Sequence, residues 1–120
     1  MKINGKEYGF MLTVAASQEV ATICRDQSLR NLTEALWDAD LPRANENKIR
    51  FICAMSAGYE EAQAMANPAH EPQPITPAEL HRVTLGELFR LTNEATEAFV
   101  RDINPSVEVE EAKKNGVAVE

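Results

Sequence analysis

Two histidines, two cysteines and several adjacent carboxylates are the groups in this 120-residue chain able to bind a metal, attack a carbonyl or carry a proton. His70 stands beside Glu71 in a proline-rich stretch, and His81 follows Ala78-Glu79-Leu80. Neither belongs to HExxH or to another ligand spacing that would put two imidazoles on one helix face. Cys24 and Cys53 form no CxxC pair and fall in helical patterns, so they read as two buried thiols without a bridge between them. Glu60-Glu61 and Glu110-Glu111 read as solvated charge pairs rather than catalytic dyads. The five glycines are scattered and build no GxxxxGK[ST] loop, GxGxxG turn or GxSxG elbow. No catalytic, cofactor-binding or metal-binding residue is assigned. The chain reads as a non-enzyme, and a small metal-dependent hydrolase using His70 and His81 is the enzymatic alternative.

Apolar contact is the other chemistry on offer. A lone tryptophan near a helix end and several flexible thioethers, Met11, Met55 and Met65, suit a surface that accepts another helix. Trp37, Leu41, Tyr59 and Met65 are the candidate partner contacts on grounds of apolarity and position. Helical rows of the same residues also build a protein's own core, so the sequence leaves both uses open.

These residues need elements to hold them. Met1-Lys2-Ile3-Asn4-Gly5-Lys6-Glu7-Tyr8 places Asn-Gly, a dipeptide tolerant of positive φ, between two short segments and predicts a small hairpin. A helix is expected over about 13–25, with Val14, Ala15, Val20, Ala21, Ile23 and Cys24 on its apolar side. Asp26 or Ser28 can cap a short helix carrying Leu29, Leu32, Leu36 and Trp37, which ends near Asp40, before Pro42. The stretch 45–67 is apolar around much of its circumference and predicts a central helix, with a bend at Gly58. Three prolines in 67–74 predict an extended connector. Thr76-Pro77-Ala78-Glu79 and Thr84-Leu85-Gly86-Glu87 each read as a capped helix start, the second opening a stripe that ends near Asp102. The expected fold is all-α: four or five helices with a small N-terminal β-hairpin in a domain spanning 1–103, then a flexible acidic tail over 104–120.

Twelve Lys and Arg against 19 Asp and Glu give a net charge of -7, the wrong sign for neutralising phosphates. No nucleic acid partner is expected. No apolar run reaches the roughly 18 residues that a membrane-crossing helix needs, and no signal-peptide core opens the chain. The expectation is a cytoplasmic protein with no membrane partner.

The order of features resembles the tail assembly chaperones of long-tailed bacteriophages and prophages, particularly those of Gram-positive hosts. The resemblance is carried by the opening Met1-to-Tyr8 segment, the Thr13-to-Cys24 helix, Asn31-Leu32, Ile49-Arg50-Phe51-Ile52-Cys53 leading to Gly58-Tyr59-Glu60-Glu61-Ala62, and the Leu85-to-Phe99 helix before an acidic end. It implies a non-enzymatic role in virion assembly within the host cytoplasm, in which several copies bind the long helical tape measure protein and keep it soluble while tail tube forms around it. It also implies weak homo-oligomers and a longer, frameshifted form that recruits tail tube protein. Lys113-Lys114-Asn115 permits a slippery adenine-rich site where that shift is expected; a coding sequence lacking such a run would exclude it. The competing expectation is a structural virion or adaptor subunit of tail-completion or connector type that stays in the particle.

Overall fold

The structure, a computed structural model, describes residues 2–3 and 6–103 and is mostly helical. Lys2–Ile3 and Lys6–Glu7 pair antiparallel, with Lys2 opposite Glu7 and Ile3 opposite Lys6. The expected Asn4-Gly5 turn and the expected acidic tail over 104–120 lie outside the described residues.

Five α-helices follow among the described residues. Thr13 caps α1 (Val14–Ala21), its hydroxyl accepting the Ala16 N–H at 3.1 Å. The helix stops short of the expected residue 25 because Cys24 turns extended and Asp26 and Gln27 take φ of 59° and 51°, left-handed values that end a right-handed helix. Its inward face is Ala16 and Val20, while Val14 and Ala15 face out. The expected apolar side is thus right at Val20 and Cys24, both buried, and corrected at Val14 and Ala15. Two 3-10 turns lead into α2 (Leu32–Leu36); Ser28 caps the second of them, its hydroxyl accepting the Arg30 N–H. Leu32, Ala35 and Leu36 are buried.

The central helix α3 (Leu41–Ala66) begins four residues before the expected Asn45. Asp40 is its N-cap, accepting the Arg43 N–H, and Pro42 sits in its first turn. Proline there initiates a helix, since its missing N–H has no intrahelical acceptor in any case. The helix packs against α1, α2, α4 and α5, and Phe51, Ile52 and Met55 are fully buried along it. It continues through Gly58. A Cβ at that position would collide with the carbonyl oxygen of Met11, so the glycine is there to let another segment cross closely.

The proline-rich connector runs back along α3. Glu60, a buried carboxylate, accepts from His70 Nε2 at 2.9 Å and from the Gln73 N–H at 3.0 Å, and Ser56 Oγ accepts from the buried Ile75 N–H at 2.8 Å. Thr76 and Glu79 form a complete capping box on α4 (Pro77–Leu80). Thr84 Oγ1 then accepts the Glu87 N–H at the start of α5 (Leu85–Ile103), whose inward stripe is Leu88, Leu91, Thr92, Ala95, Ala98 and Phe99.

An extended strap, residues 8–13, locks the bundle. The Tyr8 hydroxyl donates to Glu79 at 2.7 Å, the Met11 N–H to the Met55 carbonyl at 3.0 Å, and the Leu12 N–H to Asp102 Oδ2 at 2.9 Å. Arg101 returns a hydrogen bond to the Phe10 carbonyl at 3.2 Å. Burial pushes the Tyr8 hydroxyl well above its usual range, with the Glu79 hydrogen bond acting in the same direction. It therefore remains a donor.

Candidate partner-binding surface

Trp37 leaves α2 as its C-cap, with its N–H on the Thr33 carbonyl. Its ring is edge-on to Phe89 of α5, with centroids 5.4 Å apart, yet the residue stays 45% exposed. Leu41 opens α3 at 52% exposed and Leu85 opens α5 at 46%. The first turns of α3 and α5 lie together, because Pro42 and Glu46 share one cleft of about 380 Å³ with Leu85 and Leu88. Ile49, Leu80 and Val83 give that cleft an apolar lining, and Asn45 Oδ1 is buried beside it without a hydrogen-bond partner.

Beneath this surface lies a residue that the sequence reading passed over. Lys48 is 1% exposed, and its Nζ donates to the Leu36 carbonyl at 2.6 Å, at the C-terminal end of α2. The same nitrogen lies 4.1 Å from the Trp37 ring centroid and 4.9 Å from that of Phe89. Asn47 Nδ2 donates to the preceding carbonyl, Ala35, at 2.9 Å, so consecutive α3 residues cap consecutive α2 carbonyls. Among the described residues no carboxylate pairs with the ammonium. A cation over aromatic faces, shielded from water, gains about 2 kcal/mol. Burial nevertheless pulls the Lys48 pKa below the usual lysine range. A signal was present in the sequence: Lys48 falls on the row Ala44, Ile52, Met55 that α3 turns inward.

The four sequence candidates are thus divided. Trp37 and Leu41 flank the turn between α2 and α3. Tyr59 is half-buried and lies so close over Gly9 that a Cβ there would strike its ring, so its own chain occupies it. Met65 is 88% exposed near the far end of α3, about 36 Å along the axis from Leu41. Leu85 and Val14 are exposed apolar residues that the sequence placed in the core rows. Each is the first residue of its helix, a position with no preceding turn to cover it.

The two histidines lie in separate clefts. His70 lines a polar cleft of about 510 Å³ with Glu7, Tyr8, Glu60 and Glu71. His81 lines the other, apolar cleft, its Nδ1 2.8 Å from the Pro77 carbonyl. No group of three His, Cys, Asp or Glu able to hold a metal ion occurs among the described residues. Both cysteines are free; burial raises the Cys24 thiol and pushes Cys53 up to about 12, with Glu79 and Glu46 adding to the shift at Cys53. Among the described residues, no helix is long and apolar enough to cross a membrane. No protein-family model, curated protein or solved structure matches the chain.

Proposed function

We propose that this chain is a protein-binding module whose work is apolar capture of another helix. Within that class, the reading is a phage tail assembly chaperone of the host cytoplasm, which binds the tape measure protein and keeps it soluble during tail tube assembly. The observation that carries the reading is that Trp37, Leu41 and Leu85, three large apolar residues at helix ends, stay half-exposed on a domain with an ample core elsewhere, with Leu85 and Pro42, the neighbour of Leu41, lining one apolar cleft. A helix presenting apolar side chains three and four residues apart fits such a surface. Each contact of this size is weak, and many copies along one long ligand add up through effective concentration while each remains able to leave. The net charge of -7 keeps the coated ligand soluble.

The test is co-production of the full chain with the tape measure protein of the same genome. The wild type should hold that protein in the soluble fraction, and the double variant Trp37→Ala, Leu41→Ala should release it to the pellet while keeping its own helical circular dichroism. A soluble tape measure protein with the double variant would overturn the assignment of this surface. Mature tails purified from the same host should lack the chain. Finding it there at fixed stoichiometry would favour the virion or adaptor subunit instead.

A further inference from the structure

We propose that Lys48 is the positioning residue of this surface: its ammonium, pinned on the Leu36 carbonyl and faced by two aromatic rings, fixes the orientation in which the Trp37 indole meets a partner. The link to partner binding rests on the function proposed above; the link between Lys48 and Trp37 rests on geometry alone. Two of the Nζ contacts fall on the segment that carries the indole, and the third on the ring it packs against. Leu36 is its immediate chain neighbour, Trp37 bears it, and Phe89 is the ring it packs against. A residue that served only to fill this space would be apolar, since a buried ammonium without an acid partner loses hydration that one carbonyl and two rings replace only in part. The lowered pKa has that cause, burial.

Charged groups on the elements that carry the Nζ contacts have other partners. On α2, Glu34 pairs with Arg25. In the turn before α3, Asp38 accepts the Asp40 N–H and Asp40 accepts the Arg43 N–H. On α5, Arg90 bridges Glu87 and Glu94. None forms an ion pair with Nζ, so a change in Lys48 protonation is felt first by the two rings.

Trp37 is the only tryptophan in the chain, so its emission reads this contact directly. In the full-length protein, raising the pH should shift the emission in one step with a midpoint below the ordinary lysine value of about 10.4, with the far-UV helical signal unchanged across that step. Lys48→Met should abolish the step and leave the indole more accessible to acrylamide at neutral pH. It should also unfold no earlier than wild type on heating, because the variant removes a buried charge. A wild-type titration with no step, a step that persists in Lys48→Met, or a step that coincides with loss of helix would each overturn the proposal. In the co-production assay, Lys48→Met should retain less tape measure protein than wild type; equal retention would remove Lys48 from the binding role. If wild type itself retains none while the spectroscopic step is present, the function fails and the positioning stands.

Discussion

Gly58 shows why one residue can be plain in sequence while its reason is hidden. In an exposed helix, alanine would be favoured over glycine by about 1 kcal/mol, which makes this glycine look like a weak point in α3. Its reason is the Met11 carbonyl, which crosses the helix at that position and leaves no room for a Cβ. Forced overpacking costs about 1–3 kcal/mol, and a backbone oxygen cannot swing away as a flexible side chain can. Gly58→Ala should therefore lower the urea midpoint despite its better helix propensity. A raised midpoint would show that the strap yields. The core rows on α3 and α5 were legible because burial follows a 3.6-residue period, and the place of Lys48 in an inward row was legible with them; the surroundings of Gly58 and Tyr59 were not, because segments remote in sequence decide them.

At the level of elements, helix starts were legible where capping chemistry was complete and missed where it competed. The Thr76 capping box and the Thr84 cap lie where the sequence puts them. Asp40-Leu41-Pro42 was read as the end of one helix when it begins another, because proline near a boundary serves either purpose. The strap was not legible, since its bonds pair groups as much as 91 positions apart. Asp102 anchors it. The Arg101 hydrogen bond, joined by the Leu12 N–H, holds that carboxyl below its usual range. An acid with a depressed folded pKa contributes stability above its unfolded value, near 3.9, and that stability is lost as pH falls through the lower folded value. Asp102→Asn should cost about 1.5–3 kcal/mol at neutral pH. In denaturant melts the gap between variant and wild type should close on acidification, and a gap that stays constant with pH would remove Asp102 from the anchor.

For the whole molecule, charge and apolar surface pull in opposite directions. A net charge of -7 pushes copies apart, while Trp37, Leu41, Leu85 and the distant Met65 offer them greasy contact. Salt shortens the reach of the repulsion to about 8 Å at physiological strength and leaves apolar burial intact. If copies associate weakly through these residues, sedimentation at rising salt should show a growing dimer or oligomer fraction, and the Trp37→Ala, Leu41→Ala double variant should suppress it. A fraction that shrinks with salt would assign the association to ion pairs instead. The helical class of the molecule was legible from periodicity; which apolar residues stay outside was set by helix ends and by the turn before α3, which periodicity does not describe.

The strap also imposes an order of events. Residues 8–13 leave the ribosome early, yet Arg101 and Asp102, to which Phe10 and Leu12 are tied, are among the last described residues to be made. Until then only the anchors on Met55 and Glu79, which are made earlier, are there to hold the strap. The last turn of the final helix supplies the remaining two.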